Sequence, residues 1–164
     1  MGLLTTIRAE IDALLGINAE NGDYEGTVRA KFPALDLRWP SGTAASQADR
    51  LITDYGVTLA DGATRNLDLR SIANALGGTT TFVEVRALGI RLRDKPLTFA
   101  KGGSNGWTGL GASWTITPPI GTWLLLVNAE DGRLPTTASD KVIDITNNSG
   151  DVATYDLLLI GTSA

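Results

Sequence analysis

Acid–base chemistry in this chain would have to come from carboxylates. The sequence contains no histidine and no cysteine. That removes the usual general base, the commonest zinc and copper ligand, and the Ser-His and Cys-His nucleophile pairs. The acids of the C-terminal third, Asp131, Asp140, Asp144, Asp151 and Asp156, fall at turn sequences or on the solvent phase of strands. Nothing in their spacing pins two of them at the separation that glycoside hydrolysis requires. A calcium loop needs acidic ligands at alternate positions followed by Gly and a distant Glu, and that pattern is missing. No catalytic residue, metal ligand or cofactor site emerges, and the chain reads as a non-enzyme.

Binding chemistry has better candidates. Trp39, Trp107, Trp114 and Trp123 are many tryptophans for 164 residues. Such rings stack on sugars, anchor protein interfaces or fill a core. Trp123, in TWLLLV, fits the core. Trp107 lies in KGGSNGWTGLG, where five glycines fall between Lys101 and Gly111. A stretch so rich in glycine reads as a long loop, which makes Trp107 the expected exposed ring and the candidate ligand contact. It superficially resembles a phosphate-cradling loop, but the Lys-Ser/Thr ending is absent and no helix is expected after it.

The elements that would position these residues are mostly strands. Lys141 to Gly161 reads as an antiparallel hairpin about the turn Asn147-Asn148-Ser149-Gly150. Its return arm becomes continuously apolar at Leu157-Leu158-Leu159-Ile160, so both faces of that strand should be covered. Thr122 to Val127 is the second such strand and the expected partner of the first. Leu51, Thr53, Tyr55, Val57 and Leu59 hold one phase of an alternating strand, and Leu67 and Leu69 continue in NLDLR. Ser71 to Leu76 reads as one helical turn. Thr79 to Leu92 reads as the longest strand, with a change of phase that predicts a β-bulge near Ala87 to Gly89 and an exposed Glu84 and Arg86. Leu97 to Ala100 and Trp114 to Thr117 complete the set. Short strands divided by turn residues indicate an antiparallel β-sandwich or jelly roll over residues 50 to 164.

The first 49 residues differ. Leu4, Ile7, Ile11 and Leu14 repeat at spacings of three, four and three, which predicts a short helix over residues 2 to 15. Such a helix either lies on its own domain or associates with other copies. From Ile17 to Asp49, Gly and Pro break every period, and Phe32 and Trp39 are among the few anchors. This stretch reads either as an attachment arm or as edge strands of the same domain. The expected attachment and oligomer interface is Leu4, Ile7, Ile11, Leu14, Phe32 and Trp39.

Composition narrows the partners. A formal charge of −4 argues against a nucleic-acid-binding module, which needs a basic face. No apolar run approaches the roughly 20 residues that span a bilayer. The N-terminus lacks the features of a signal peptide, so synthesis in a cytoplasm is expected.

The C-terminal two thirds resembles a group of tailed-bacteriophage virion proteins of about this size. The residues that carry the resemblance are YGVTLADGATRNLDLRSIANALGGTTTFVEVRALGIR (Tyr55 to Arg91) and ITNNSGDVATYDLLLIGTSA (Ile145 to Ala164). That group similarly has a Leu-Asp-Leu segment, a Leu-Gly-Gly-Thr followed by Phe-x-x-Val-x-Ala-Leu, and a closing Tyr-Asp strand before Ile-Gly-Thr. The resemblance covers roughly residues 50 to 164, and the first 49 residues fall outside it. It implies a head-associated or other minor structural protein of the virion, without activity. The expectation is therefore a capsid decoration or cement protein on the virion surface, partnered by the major capsid protein and by itself as a homotrimer. The alternative is a receptor- or glycan-binding module of a head or tail fibre.

Overall fold

The computed structural model describes residues 5–9, 12–18, 25–31, 35–44, 47–73, 78–127 and 134–163. Among these residues there is no helix, and the protein is mainly β with antiparallel sheets.

Four strands come first: β1 (Thr5–Ala9), β2 (Asp12–Asn18), β3 (Glu25–Lys31) and β4 (Leu35–Trp39). β2 pairs with β3 and β1 with β4, each pair a separate two-stranded ribbon, the first nested within the second in sequence. The helix expected over residues 2 to 15 is replaced by strands wherever the backbone is described. The helical spacing competes with a period of two, Ile7 and Ala9 and then Ala13, Leu15 and Ile17. The β-branched Thr5, Thr6, Ile7 and Ile17 favour the extended form. Ile7 and Leu14 of the expected interface fall in β1 and β2, while Leu4, Ile11 and Phe32 lie outside the described residues.

The main body follows with β5 (Arg50–Leu59), β6 (Thr64–Asp68), β7 (Ile72–Ala73), β8 (Thr79–Thr80), β9 (Glu84–Leu92) and β10 (Thr98–Lys101). It ends with β11 (Thr115–Ile116), β12 (Trp123–Val127), β13 (Leu134–Pro135), β14 (Val142–Thr146) and β15 (Ala153–Thr162). The first sheet runs β12-β9-β15-β5, with β13 also on β9; the second runs β11-β10-β14-β6. β7 and β8 form a separate ladder where one helical turn was expected over Ser71 to Leu76. Residues 74–77 of that turn lie outside the described ones.

Both sheets supply one apolar core. Ile52, Val85, Ile90, Leu157 and Leu159 come from the first sheet, and Leu67, Phe99, Ile143 and Ile145 from the second. Each such side chain contributes about 1.5–3 kcal/mol by leaving water. Where β5 meets β6, Arg65 Nη1–H donates to the Tyr155 hydroxyl at 2.9 Å and Nη2–H to Asp54 Oδ2 at 3.0 Å. Burial pushes the Tyr155 phenol above its usual value, against the opposing pull of Arg65.

Three sequence expectations change here. First, Lys141 to Gly161 is an arch and not a hairpin, because β14 belongs to the second sheet and β15 to the first. The connecting Asn147 is fully buried. Its Nδ2–H groups donate to Leu59 O (2.8 Å) and Asp151 O (2.7 Å), and its Oδ1 accepts from Ser149 N–H at 3.0 Å. Gly150 N–H donates to Asp61 Oδ1 at 2.8 Å, tying the arch to the β5–β6 turn. A backbone leaving a ladder needs new partners, and these polar bonds provide them.

Second, β12 pairs with β9 and not with Leu157 to Ile160, because β9 lies between them. Third, β9 does carry a bulge, but at Arg86: Ile160 faces Ala87 and Gly161 faces Val85. Glu84 and Arg86 are buried, not exposed, and pair with each other at 3.0 Å. The reason is the loop after β4. Trp39 and Ala48 pack on Ala87 and Ile160, and Ala44 O accepts from Arg86 Nη2–H at 3.4 Å. The boundary expected between residues 49 and 50 thus cuts through a packed unit.

Asn147→Ala should lower stability by about 1–3 kcal/mol, because it removes the amide donor to the Leu59 carbonyl and one of the two donors to the Asp151 carbonyl, whose other is the Ser149 hydroxyl. Urea denaturation measures this, and a loss no larger than a surface substitution gives would mean the arch stands without the amide. The closing strand separates two further cases. Leu159 faces the core and Leu158 is half-buried on the outer face. Leu159→Asp should therefore abolish folding, whereas Leu158→Asp should leave a folded protein by circular dichroism.

Candidate functional site

The carboxylates singled out in the sequence serve loops and ion pairs. Asp140 accepts from Thr108 N–H at 2.6 Å, and Asp144 from Asn66 Nδ2–H at 2.5 Å and Gly103 N–H at 3.1 Å. Asp151 caps Val152 N–H at 2.8 Å and lies 3.2 Å from Lys95 Nζ. Asp131 is outside the described residues. Among the described residues, no group of three or more acids is placed to hold a metal ion.

Trp107 is not the exposed ring that the glycine-rich loop suggested. It is fully buried, donates its indole N–H to Pro135 O at 3.1 Å and packs edge-on against Trp114 at 6.5 Å. Trp114 in turn donates its indole N–H to Trp107 O at 2.8 Å. The loop's glycines make room for the indole: a Cβ on Gly109 would lie 2.1 Å from the Trp107 ring. Burial of so large an apolar surface outweighs the local tendency of such a loop to stay solvated.

Trp123, expected in the core, is 72% exposed. It sits on β12, an edge strand whose Leu124 and Leu126 face the core while Trp123 and Leu125 point away. Arg91 lies over its ring at 5.0 Å from the centroid. The register of the first sheet aligns the outward residues in three rows: Trp123, Arg91 and Asp156; Leu125, Gly89, Leu158 and Thr53; Val127, Ala87, Ile160 and Leu51. The last row is partly covered by Trp39 and Ala48. The other two rows are more open, with Trp123 72% and Leu125 40% exposed, although Leu158 also packs against the Trp39 cluster; Tyr55, 72% exposed, lies in the bulge of β5. Trp39, expected as an attachment residue, is itself buried on this face.

The second sheet carries a different outer surface. Thr64 bonds Thr146 at 3.0 Å, Asn66 bonds Asp144, and Thr98 bonds Thr117 at 3.1 Å, all exposed. One sheet therefore shows water a polar ladder, and the other shows it leucine, tyrosine and tryptophan. These exposed apolar residues are interleaved with Arg91, Gly89, Asp156 and Thr53. The sequence carried a trace of them in TWLLLV, a run that reads equally as a strand covered by its own domain or by another protein.

Asp156 fixes the open face at its upper edge. Its carboxylate accepts from Arg93 Nε–H at 2.9 and 3.0 Å, and from Gly56 N–H at 2.8 Å. Gly56, at φ 65°, lies in the bulge of β5 between the Val57–Tyr155 and Asp54–Leu157 pairs. The Arg93 hydrogen bond, with the Gly56 amide and the Arg91 charge, holds the Asp156 carboxyl below its usual 3.8. Comparison with protein-family models, with curated proteins and with solved structures returned no match to this chain. Among the described residues no helix is long and apolar enough to cross a membrane.

The lowered carboxyl sets a pH dependence. A group whose folded-state pKa is depressed stabilises the fold above its unfolded value and ceases to do so as pH falls through the folded one. Stability should therefore fall on acidification below about 3.8, and Asp156→Asn should flatten that part of the profile while weakening the protein at neutral pH. Urea denaturation along an acid series checks both, and parallel profiles for the two proteins would show that Arg93 does not hold the carboxylate.

Proposed function

We propose that this protein is a non-enzymatic structural component of a tailed-phage virion, a decoration or cement protein that binds the outer capsid lattice. The observation that carries the reading is the open apolar face of the first sheet. Exposed leucine, tyrosine and tryptophan on one sheet face suit burial against another protein.

The fold supports the same reading. We infer that the two sheets stack as a jelly-roll sandwich. Taking β5, β6, β9, β10, β11, β12, β14 and β15 as strands 1 to 8, the sheet orders are 1-8-3-6 and 2-7-4-5. That is the order of an eight-stranded jelly roll, an architecture used by viral capsid proteins, lectins and cupins. A chain without histidine lacks the ligand most often used for a transition metal in such a barrel. The resemblance of residues 50 to 164 to phage virion proteins favours the capsid among the remaining uses. Self-association as a trimer and attachment to the major capsid protein then give many weak contacts on one lattice, which act together. The assembled shell gains stability because the protein binds it and not its dissociated subunits.

Trp123 and Tyr55 on one open face favour a second reading, a glycan- or receptor-binding module in which these rings stack on sugars. One experiment separates the two. Full-length protein mixed with empty capsids of its phage should sediment with them and raise their melting temperature, while a glycan array stays blank. Binding to sugars with no binding to capsids would overturn the proposal in favour of the second reading.

A further inference from the structure

We propose that the two free edges of the first sheet join between copies of this chain, the β5 edge of one copy pairing with the β12 edge of the next. This rests on the self-association in the proposed function and adds to it the strands, their register and the direction of the contact.

The order β12-β9-β15-β5 leaves one side of β5 and one side of β12 without a strand neighbour among the described residues. Such an edge offers its backbone N–H and C=O groups to any strand that reaches it, and proteins commonly blunt it with lysine or proline. Neither strand contains lysine or proline, and both turn large apolar side chains to solvent. Six large apolar residues are exposed among the described ones, and four of them lie on these two strands: Leu51 and Tyr55 on β5, Trp123 and Leu125 on β12. The other two, Ile120 and Val152, fall outside strands. On the same face the inner strands carry Ala87, Gly89 and Arg91, then Asp156, Leu158 and Ile160, of which Ala87, Leu158 and Ile160 pack with Trp39. Exposed apolar surface is thus concentrated at the two edges, where a neighbouring strand would cover it.

The two edges also match in geometry. Every pairing in this sheet is antiparallel, so β12 of a next copy, continuing the order beyond β5, runs antiparallel to it. Bonded and non-bonded pairs alternate along a row of such a sheet. Across an even number of strands the alternation reaches both edges in the same phase. The row Leu125, Gly89, Leu158, Thr53 therefore continues into Leu125 of the next copy without a slip. In that register Leu51 meets Val127 and Tyr55 falls beside Trp123, an aromatic pair of a kind that stabilises cross-strand contacts. On the inner face Ile52 meets Leu126 and extends the core, while Asp54, held by Arg65, faces Leu124. The lengths agree: β12 has 5 residues, the same span as Leu51 to Tyr55, and the left-handed Gly56 follows. The contact joins two different surfaces, head to tail, and closes as a ring when the rotation permits; a trimer is such a ring.

Complementation tests this with full-length chains. Leu51→Lys with Tyr55→Lys spoils the β5 edge, and Trp123→Lys with Leu125→Lys spoils the β12 edge; all four side chains are exposed. Wild type should be oligomeric by light scattering, each double variant alone should fall to the mass of one chain, and an equimolar mixture should form a one-to-one dimer. Circular dichroism confirms that both variants are folded. If either is not, the cysteine-free sequence offers a second route. Directly opposed residues of an antiparallel pair have Cα atoms roughly 4.5–5.5 Å apart, within disulfide reach. A Thr53→Cys chain mixed with a Leu125→Cys chain should therefore give a disulfide-linked heterodimer under mild oxidation, and neither chain should link to itself. A monomeric wild type, folded double variants that stay oligomeric, a Thr53→Cys chain that links to itself instead of to the Leu125→Cys chain, or a mixture with neither association nor cross-link would each overturn the proposal. None of these outcomes depends on capsid binding, so failure here and failure of the cement reading are separable.

Discussion

The fold depends on where the chain leaves one sheet for the other. Among the nine strands of the two sheets, only the steps from β10 to β11 and from β12 to β13 stay within a sheet. Every other connection removes backbone from a ladder and must find it new partners. At one end Asn147 does this for two crossings, because β5–β6 and β14–β15 lie side by side there. At the same end, where β9 leaves the sheet and β12 enters it, Leu92 N–H donates to Thr122 O at 3.1 Å and Arg93 N–H to Thr154 O at 3.1 Å. The core of Leu157, Leu159, Ile143 and Ile145 can form only if those corners hold, since it needs inward residues from strands that are adjacent in sequence but in different layers.

A second constraint acts on the outside of the first sheet. Arg86 is 1% exposed, and its Nε and Nη1 have no hydrogen-bond partner among the described residues. Burying a guanidinium costs more than one carboxylate at 3.0 Å returns, so the pair is weak support for stability. Its effect is positional. The bulge at Arg86 bends β9 beneath the loop that carries Ala44 and Ala48, and the Nη2 contact to Ala44 O joins the two. The charge thus marks where the segment after the ribbon must lie.

These two features also explain what was legible in the sequence. Strand content, most strand positions after Leu51 and the presence of a bulge in β9 follow from alternation and turn residues. Pairing did not. NNSG is as good a turn for an arch as for a hairpin, and only long-range bonds such as Asn147 to Leu59 distinguish them. Burial failed wherever the cover came from elsewhere in the chain. Alternation put Glu84 and Arg86 outward correctly, but cannot reveal that residues 39 to 48 lie over them. The same blindness reversed Trp107 and Trp123: a glycine loop can close over an indole, and an apolar edge strand can face outward. In the ribbon, a seam at spacings of three and four also contained a period of two, and β-branched residues decided between them.

The asymmetry between the two outer faces carries the functional argument further than any single residue. A sheet with one face on a core normally shows alternating polar residues on the other, as Thr64, Asn66, Thr98, Asp144 and Thr146 do here. The first sheet breaks that rule with Leu51, Tyr55, Trp123 and Leu125, although it shares the same core and solvent. Folding gives no reason for the difference, since outward leucines add nothing to the shared core and make aggregation easier. The apolar rows are also bounded. Asp156 with Arg91 and Arg93 closes them at one end, and the Glu84–Arg86 pair lies under the loop at the other. Exposed apolar side chains between two charged limits, with one row covered by the chain's own Trp39, are what the proposed attachment to another protein draws on.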